Sequence, residues 1–297
     1  MYNIIGTRKT WFSLSAILIV ASVIFLAMGG LKLGIDFTGG SLLQVQFEDV
    51  RPTAQEVQSN IEKLELGEIV VQPVKDTEIM IRMKAIGNDM RESILASLTE
   101  EFGVVHEMAF ESIGPTIGKE LRQKAIIAIL IVMLAIIAYV SWAFRKISSG
   151  PVPAYVFGLC AIIALAHDIL IVTGIFAALG YFLEVEIGAL FVTALLTILG
   201  FSVHDTIVVY DRIREGILRG STTDFRTILN TAINATLVRS LNTSITTLFV
   251  LVALYLFGGE SIKYFVLALI LGIILGTYSS IFIASPLLLL WKRFFSK

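Results

Sequence analysis

Long apolar runs separated by polar connections dominate this chain of 297 residues. Six runs reach the roughly 20 residues that an α-helix needs to cross the hydrocarbon core of a membrane. They cover residues 11–31, 125–144, 152–179, 187–210, 241–259 and 264–291. The pattern predicts a polytopic α-helical membrane protein with six transmembrane helices. The first run is too long for a signal peptide and lacks an evident cleavage site, so we expect it to be retained.

Residues 33–124, between the first two spans, have the pattern of a folded domain. Alternating segments predict strands, and apolar residues three or four positions apart predict helices. Thr53 and Glu56 have the spacing of a helix-capping box. The predicted order is strand, helix, strand, strand, helix, strand, as in an α+β ferredoxin-like (βαββαβ) domain. Residues 1–32 then hold the first span, and residues 125–297 hold the other five.

A long connection, residues 211–240, is predicted between the fourth and fifth spans. Within it, apolar residues recur at helical spacing at Phe225, Ile228, Leu229 and Ile233. This pattern favours a helix lying along the membrane surface. A solvated helical loop is the alternative.

Basic residues gather beside the span ends on one side of the predicted membrane. Arg8, Lys9, Arg145 and the run 212–239 lie there, whereas the opposite short loops are mainly acidic. Because cytoplasmic loops are enriched in Lys and Arg, we expect both termini in the cytoplasm and residues 33–124 outside the plasma (inner) membrane.

Composition limits the class of protein further. With 56% apolar residues and a mean hydropathy of +0.84, the chain is more apolar than one soluble core requires. The net charge is −1, and the external segment is more acidic than basic, which argues against a nucleic-acid partner. Cys160, the single cysteine, lies in the third span, so we expect no disulfide in the external domain.

Two spans contain histidine and acidic residues. The third has His167 followed by Asp168, and the fourth has His204 followed by Asp205. A charge at the centre of a membrane costs about 2.5–3.5 kcal/mol on insertion scales, so such residues usually serve an ion path or bind a specific partner. We therefore predict Asp205 as the main site of a proton path, with Asp168 as a second candidate.

The fifth span offers a cation for Asp205. Arg239, Asn242, Thr243 and Thr246 share one helical face, so a guanidinium heads a polar stripe. Since an arginine favours the charged form of a nearby carboxyl, movement of Arg239 relative to Asp205 would bind and release a proton. The alternative is a permanent ion pair that fixes helix register. His204 and His167 are each equally consistent with a relay or with hydrogen-bonded packing.

No segment indicates an enzyme or a metal site. Residues 114–120 resemble a phosphate-binding loop, but they are one residue short and end in Glu where a hydroxyl is needed. His106 and Glu107 lack the second histidine of a zinc protease. We predict a protein that is not an enzyme and has no cofactor other than an ion gradient.

Four motifs resemble one family. They are GIDFTGG at 34–40, ALAHD at 164–168, DTIVVYDRIRE at 205–215 and RSLNTS at 239–244. Together they are similar to the SecD/SecF family of protein-export membrane proteins, in the resistance-nodulation-division superfamily. The resemblance implies pairing with SecD to assist export of unfolded polypeptides through the SecYEG channel with the proton-motive force; sodium coupling stays open.

The resemblance also implies roles for residues. Asp205 and Arg239 occupy the family's proton-path positions, and Asp168 lies in another family motif. His204 stands where relatives often have Asn. The glycine-rich segment, with Gly34, Asp36, Gly39 and Gly40, is expected to turn the chain from the first span into the first strand.

Two other functional classes stay open. A self-contained exporter of lipids or small molecules is disfavoured. Related exporters usually have two large external domains and about twice as many spans, whereas this chain has one such domain and six predicted spans. A non-transporting scaffold of a translocase would tolerate the loss of the charge at Asp205.

Overall fold

The computed structural model describes residues 2–48, 51–64, 66–74, 76–145, 151–219 and 224–295. The chain folds as two compact units. The larger unit contains Met1–Lys32 and Ile127–Lys297, and the smaller contains Leu33–Ile126.

Helices account for most of the described chain. They are α1 (Arg8–Met28), α2 (Ile35–Thr38), α3 (Ala54–Glu62), α4 (Asn88–Phe102), α5 (Pro115–Ala143), α6 (Ala154–Leu183), α7 (Ala189–Leu218), α8 (Phe225–Phe257), α9 (Glu260–Ser279) and α10 (Ser285–Phe295). A π-helical segment, Ser280–Ala284, joins α9 to α10. The strands are β1 (Gly40–Phe47), β2 (Val70–Pro73), β3 (Glu78–Met83) and β4 (Val105–Ile113).

Six helices in the described part of the chain are long and apolar enough to cross a membrane, which confirms the predicted number. They are α1, α5, α6, α7, α8 and the continuous helix Ser261–Lys292 formed by α9, the π segment and α10. In the larger unit, the buried Tyr210 ring packs edge-on against Phe144 and Phe157, whose rings stack 5.4 Å apart. The Tyr210 hydroxyl donates to the Ala284 carbonyl at 3.2 Å, so this hydrogen bond also joins α7 to the last span.

The predicted surface helix within residues 211–240 is wrong. α7 continues to Leu218 and α8 already begins at Phe225, so most of that stretch extends two spans. The apolar face of the segment, including Leu229 and Ile233, is buried in the core of the larger unit. The amphipathic pattern was a correct sign of a helix, but the apolar face is covered by protein.

The last span packs against α7 through its small residues. A Cβ at Gly272 would lie 2.2 Å from the Ile198 side chain, and one at Gly276 would lie 2.9 Å from Ser202 Cβ. Glycine at both positions is therefore what lets the two helices approach so closely. The small residues Gly272 and Gly276 are therefore covered by α7 of the same chain, so they do not require a second protein opposite them.

The smaller unit has the predicted ferredoxin-like order. Its antiparallel sheet runs β2-β3-β1-β4, with β1 in the middle paired to β3 and β4. Helices α3 and α4 supply Ile61 and Leu98 to a core that also contains the inward-facing Leu43, Val45 and Phe47 of β1. Because successive strand residues face opposite sides, this alternation fixed the buried face.

The predicted capping box begins α3. The Glu56 N–H donates to Thr53 Oγ1 at 3.3 Å, and the Thr53 N–H donates to Glu56 Oε2 at 2.7 Å. The Thr53 hydroxyl also donates to Glu56 Oε2 at 2.8 Å. The bonds donated by the backbone N–H and the hydroxyl of Thr53 lower the pKa of Glu56, since they stabilise its charged form.

Candidate functional site

Asp205 lies where three spans meet. It is on α7, is 8% exposed, and accepts hydrogen bonds from two serine hydroxyls. Ser240 of α8 donates to Oδ1, and Ser280 of the π segment donates to Oδ2, each at 2.5 Å. Each carboxylate oxygen therefore has a donor from a different helix. A change in the charge of Asp205 would alter both of these contacts.

Arg239 does not reach Asp205 within this chain, and the predicted contact is wrong. Arg239 is exposed on α8 and forms no ion pair with any residue that the structure describes. The next residue, Ser240, is turned by about 100° on the helix and meets Asp205 in its place. The predicted pairing assumed that the polar stripe faces α7.

The polar stripe of α8 faces outward. Asn242, Thr243 and Thr246 are exposed, like Arg239. The hydroxyl of Thr243 donates to the Arg239 carbonyl at 3.0 Å, and that of Thr246 donates to the Asn242 carbonyl at 2.9 Å. These groups are thus satisfied within their own helix. Among the described residues, no side chain pairs with the Arg239 guanidinium or the Asn242 amide.

His204 also faces away from the bundle. It is exposed on α7, as are Thr193, Thr197 and Gly200 along the same helical stripe. His204 is therefore not placed to relay a proton to Asp168 within this chain. Two polar stripes, on α7 and α8, are thus presented outward by spans that are otherwise apolar, an arrangement that requires protein or water opposite them.

Asp168 is the most enclosed carboxyl of the bundle. It is fully buried on α6, and Ser202 of α7 and Ser279 of α9 both donate to its Oδ2 at 2.7 Å. Its Oδ1 lies 2.9 Å from Nδ1 of the buried His167. Nε2 of His167 lies 3.0 Å from Ser15 Oγ of α1. Of the two histidines in the spans, His167 is the one in contact with a buried carboxyl.

The two carboxyls share their supporting helices. Asp168 contacts Ser279 and Asp205 contacts Ser280, which are consecutive residues. On α7, Ser202 and Asp205 are three residues apart and so lie on one face. The π turn begins at Ser280, and π turns are frequent at functional sites. The end of α9 therefore connects the two acidic groups.

Several polar members of this site were not identified from the sequence. Ser15 and Tyr278 are 3.0 Å apart, and the Tyr278 hydroxyl also donates to the Trp11 carbonyl at 2.9 Å. Isolated hydroxyl residues in apolar spans are common. The adjacent serines 279 and 280 were the one available signal, because consecutive residues point about 100° apart on a helix and can therefore meet two different neighbours.

The glycine-rich segment lies in the smaller unit. Gly39 has φ +78°, and a Cβ there would lie 2.7 Å from Pro115 Cα. Gly40 has φ +134°, and its Cβ would lie 2.9 Å from the Met83 carbonyl oxygen. Both positions thus require glycine for backbone and space. Gly34, with φ −73°, precedes the short helix α2 that contains Asp36.

Comparisons with known proteins converge. Residues 93–294 match the family described as protein export membrane protein SecD/SecF, C-terminal, and residues 24–49 match the SecD/SecF GG motif. The protein translocase subunit SecF of Thermobaculum terrenum is 45% identical over 306 residues, covering 99% of this chain and 95% of that protein. The SecF subunit of Anaerolinea thermophila is 40% identical over 295 residues, covering 98% and 94%.

Solved structures show the same likeness. The crystal structure of SecDF, a translocon-associated membrane protein from Thermus thermophilus, has a TM-score of 0.84 and 32% identity, covering 98% of this chain and 39% of that chain. SecDF in a super-membrane-facing form gives 0.69 and 31%, with 99% and 39% covered. This chain spans about two fifths of those SecDF polypeptides.

Proposed function

Because the chain belongs to the SecD/SecF family of protein-export membrane proteins, we propose that it serves as an auxiliary subunit of the Sec protein translocase. The role is transport rather than enzymatic chemistry. The chain is a multi-pass membrane protein, which we place in the plasma membrane with both termini cytoplasmic and residues 33–124 external. The positive-inside distribution of basic residues supports this orientation.

The proposal that a proton gradient drives export rests on two buried carboxyls, those of Asp205 and Asp168. Asp205 and Asp168 each accept hydrogen bonds from two other spans and meet consecutive serines of the last span. Gain or loss of a proton at either carboxyl changes the hydrogen bonds that join these helices. A potential of 100 mV acting on one charge supplies about 2.3 kcal/mol, enough to bias a bundle between two arrangements.

The outward polar stripes support SecD as the partner. Arg239 on α8 and His204 on α7 face away from the bundle, where lipid would leave them unsatisfied. A second six-helix protein opposite them would supply acceptors. In this arrangement Arg239 acts at the interface and affects Asp205 through the neighbouring Ser240. The solved SecDF polypeptides, of which this chain matches two fifths, are consistent with such a pairing.

The proposed substrate is an unfolded polypeptide leaving the SecYEG channel. One proton transfer provides too little energy to move a polypeptide across in one step. We therefore assign to the external domain repeated cycles of binding and release, each coupled to the carboxyls of the bundle.

Asp205→Asn tests the proton step. The amide keeps the shape of the side chain but cannot exchange a proton, so export stimulated by an imposed gradient should be lost while the protein still inserts and assembles. Export of a secretory polypeptide into membrane vesicles from a depleted strain is the measurement. Asp224→Asn, at an exposed residue, is the matched control.

Other outcomes would assign different functions. Full gradient-stimulated export by Asp205→Asn would show that the chain is a scaffold. Export that responds only to a sodium gradient, in buffers of matched pH, would replace the proton by sodium. Export of lipids or small molecules by the chain without SecD would indicate a self-contained exporter.

A further inference from the structure

A chain of hydrogen bonds leads away from Asp168 and ends on a backbone carbonyl of α1. It passes from Asp168 Oδ1 to His167 Nδ1 at 2.9 Å, and from His167 Nε2 to Ser15 Oγ at 3.0 Å. Ser15 Oγ lies 3.0 Å from the Tyr278 hydroxyl, which donates to the Trp11 carbonyl at 2.9 Å. This series of hydrogen bonds links α6, α1 and α9.

The carbonyl at the end fixes the direction of every bond. A tyrosine hydroxyl has one proton, and here that of Tyr278 is given to the Trp11 carbonyl. Ser15 must then donate to Tyr278, and His167 Nε2–H must donate to Ser15. A histidine with its proton on Nε2 has a bare Nδ1 unless it carries two protons. Between Nδ1 and Asp168 Oδ1 there must consequently be one more proton.

This proton can lie on either of the two groups. Either His167 is neutral and accepts from a protonated Asp168, or His167 is cationic and donates to an ionised Asp168. Both forms leave the pair with no net charge, which suits full burial. Loss of the proton would set a bare ring nitrogen against a carboxylate 2.9 Å away.

This conflict is relieved if each hydrogen bond from Tyr278 to Asp168 reverses its direction. In the deprotonated state, Tyr278 donates to Ser15, Ser15 donates to Nε2, and His167 Nδ1–H donates to the ionised Asp168. The Trp11 carbonyl then loses Tyr278, but it lies inside α1 and keeps its bond from the helix backbone. The cost is one hydrogen bond between α9 and α1.

We propose that His167 and Asp168 together form a proton-binding site, and that Ser15 and Tyr278 transmit its occupancy to the contact between α1 and α9. With the proton bound, Tyr278 ties the last span to the Trp11 carbonyl. With the proton released, this tie is broken. The proposal rests on the proposed function only in giving the proton a source, because the hydrogen-bond geometry stands without it.

Among the described residues, no third ionisable group forms a direct hydrogen bond with the pair of His167 and Asp168. Its hydrogen-bond partners among the described residues are Ser15, Ser202 and Ser279, all neutral hydroxyls, and the Tyr278 ring stacks on that of His167 at 6.0 Å. Tyr278 is also one hydrogen bond further along, and Asp205 lies behind Ser280. Of the remaining ionisable residues on the helices around the pair, Cys160 and Tyr210 are buried in the apolar core, and the others are exposed or lie near helix ends, among them Arg8, Lys9, His204 and Lys263.

Trp11 provides a reporter that does not depend on export. Its ring lies 4.1 Å from that of Phe282 and 6.2 Å from that of Tyr278, between centroids. Replacing Trp142 and Trp291 by Phe leaves Trp11 as the single tryptophan of the full-length chain. Its emission in lipid vesicles, followed from mildly acidic to mildly alkaline pH, should show a one-proton transition.

Variants assign the transition. Asp168→Asn and His167→Gln should move the transition to another pH or remove it, because each leaves one ionisable group without the partner that shares its proton. Tyr278→Phe should abolish it, because the tie to α1 is gone whether or not the pair is protonated. Ser22→Ala is the matched control, since Ser22 lies two turns beyond Ser15 on the same buried face of α1. It should titrate like the parent.

Asp205→Asn separates this proposal from the proposed function. That variant should lose gradient-stimulated export yet keep the Trp11 transition. The proposal is overturned if the parent shows no transition, if Asp168→Asn leaves the transition at the parental pH, or if Tyr278→Phe keeps it, with circular dichroism showing intact helices in each variant. A transition that disappears in Asp205→Asn alone would overturn it too, by assigning the proton to the other carboxyl.

Discussion

Gly276→Ala tests how closely the packing of α9 and α7 is tied to the buried carboxyls. The new Cβ would lie 2.9 Å from Ser202 Cβ and 3.2 Å from Ser202 Oγ. Carbon atoms in contact are normally about 3.5–4.0 Å apart, so the helices must separate by roughly 0.6–1.1 Å. Ser202 of α7 donates to Asp168 of α6 at 2.7 Å, so a shift of Ser202 by this amount away from α6 would stretch the hydrogen bond to about 3.3–3.8 Å and weaken it.

Gly276→Ala has two effects that lower the free energy of unfolding and one that raises it. Overpacking of a tight contact costs about 1–3 kcal/mol. A hydrogen bond to a charged group contributes about 1.5–3 kcal/mol, part of which is lost if Asp168 is ionised. Alanine is better than glycine inside a helix by about 1 kcal/mol. The net expectation is a loss of about 2–4 kcal/mol in the free energy of unfolding.

Equilibrium unfolding of the purified chain in mixed micelles measures this loss. Gly200→Ala is the matched control, because a Cβ at Gly200 on α7 meets nothing within 4 Å. That variant should be as stable as the parent or slightly more stable. Adding Ser202→Gly to Gly276→Ala removes the steric conflict but also the hydroxyl, so part of the stability should return without normal gradient-stimulated export. A Gly276→Ala protein with parental stability would refute the reasoning.

Three further predictions concern other parts of the chain. Arg239→Lys should reduce gradient-stimulated export several-fold in the presence of SecD although the charge is kept, because an ammonium lacks the planar fork of donors; unchanged export would argue against a geometric role. Thr53→Ala should destabilise the smaller unit by about 1 kcal/mol in thermal unfolding, through loss of the cap of α3. The lowered pKa of Glu56 stabilises the fold above the pKa of the unfolded chain, and this contribution should fade as the pH falls through the folded pKa; Glu56→Gln should remove that pH dependence.

Hydrophobic pattern was enough to predict both halves of the fold. Six apolar runs gave six spans, and period-two alternation around Val45 gave the buried face of the central strand. These features follow from the need to bury apolar side chains, which each stretch of sequence expresses by itself. The amphipathic stretch after Phe225 was misplaced for the same reason, because its pattern shows an apolar face but not what covers it.

The candidate site was predicted only in part. Asp205 and Asp168 were evident, since a carboxyl in an apolar span has no local explanation. Their partners were not, because helical spacing relates residues of one helix and does not say which neighbour each face meets. Arg239 was expected beside Asp205, whereas Ser240 holds that place. The contact between Ser15 and Tyr278 joins residues 263 positions apart, which no local pattern encodes.

The wide turn at Ser280–Ala284 has a consequence for how the gene can change in length. A π turn accommodates one residue more than an α-helical turn does, without rotating the helix beyond it. Loss of a single codon within this stretch would leave the buried Leu288 of α10 facing the same neighbours. The same loss within α7 would turn every later residue of that helix by about 100° and carry Asp205 away from its serines. Natural length variation in this last span should therefore concentrate at the wide turn.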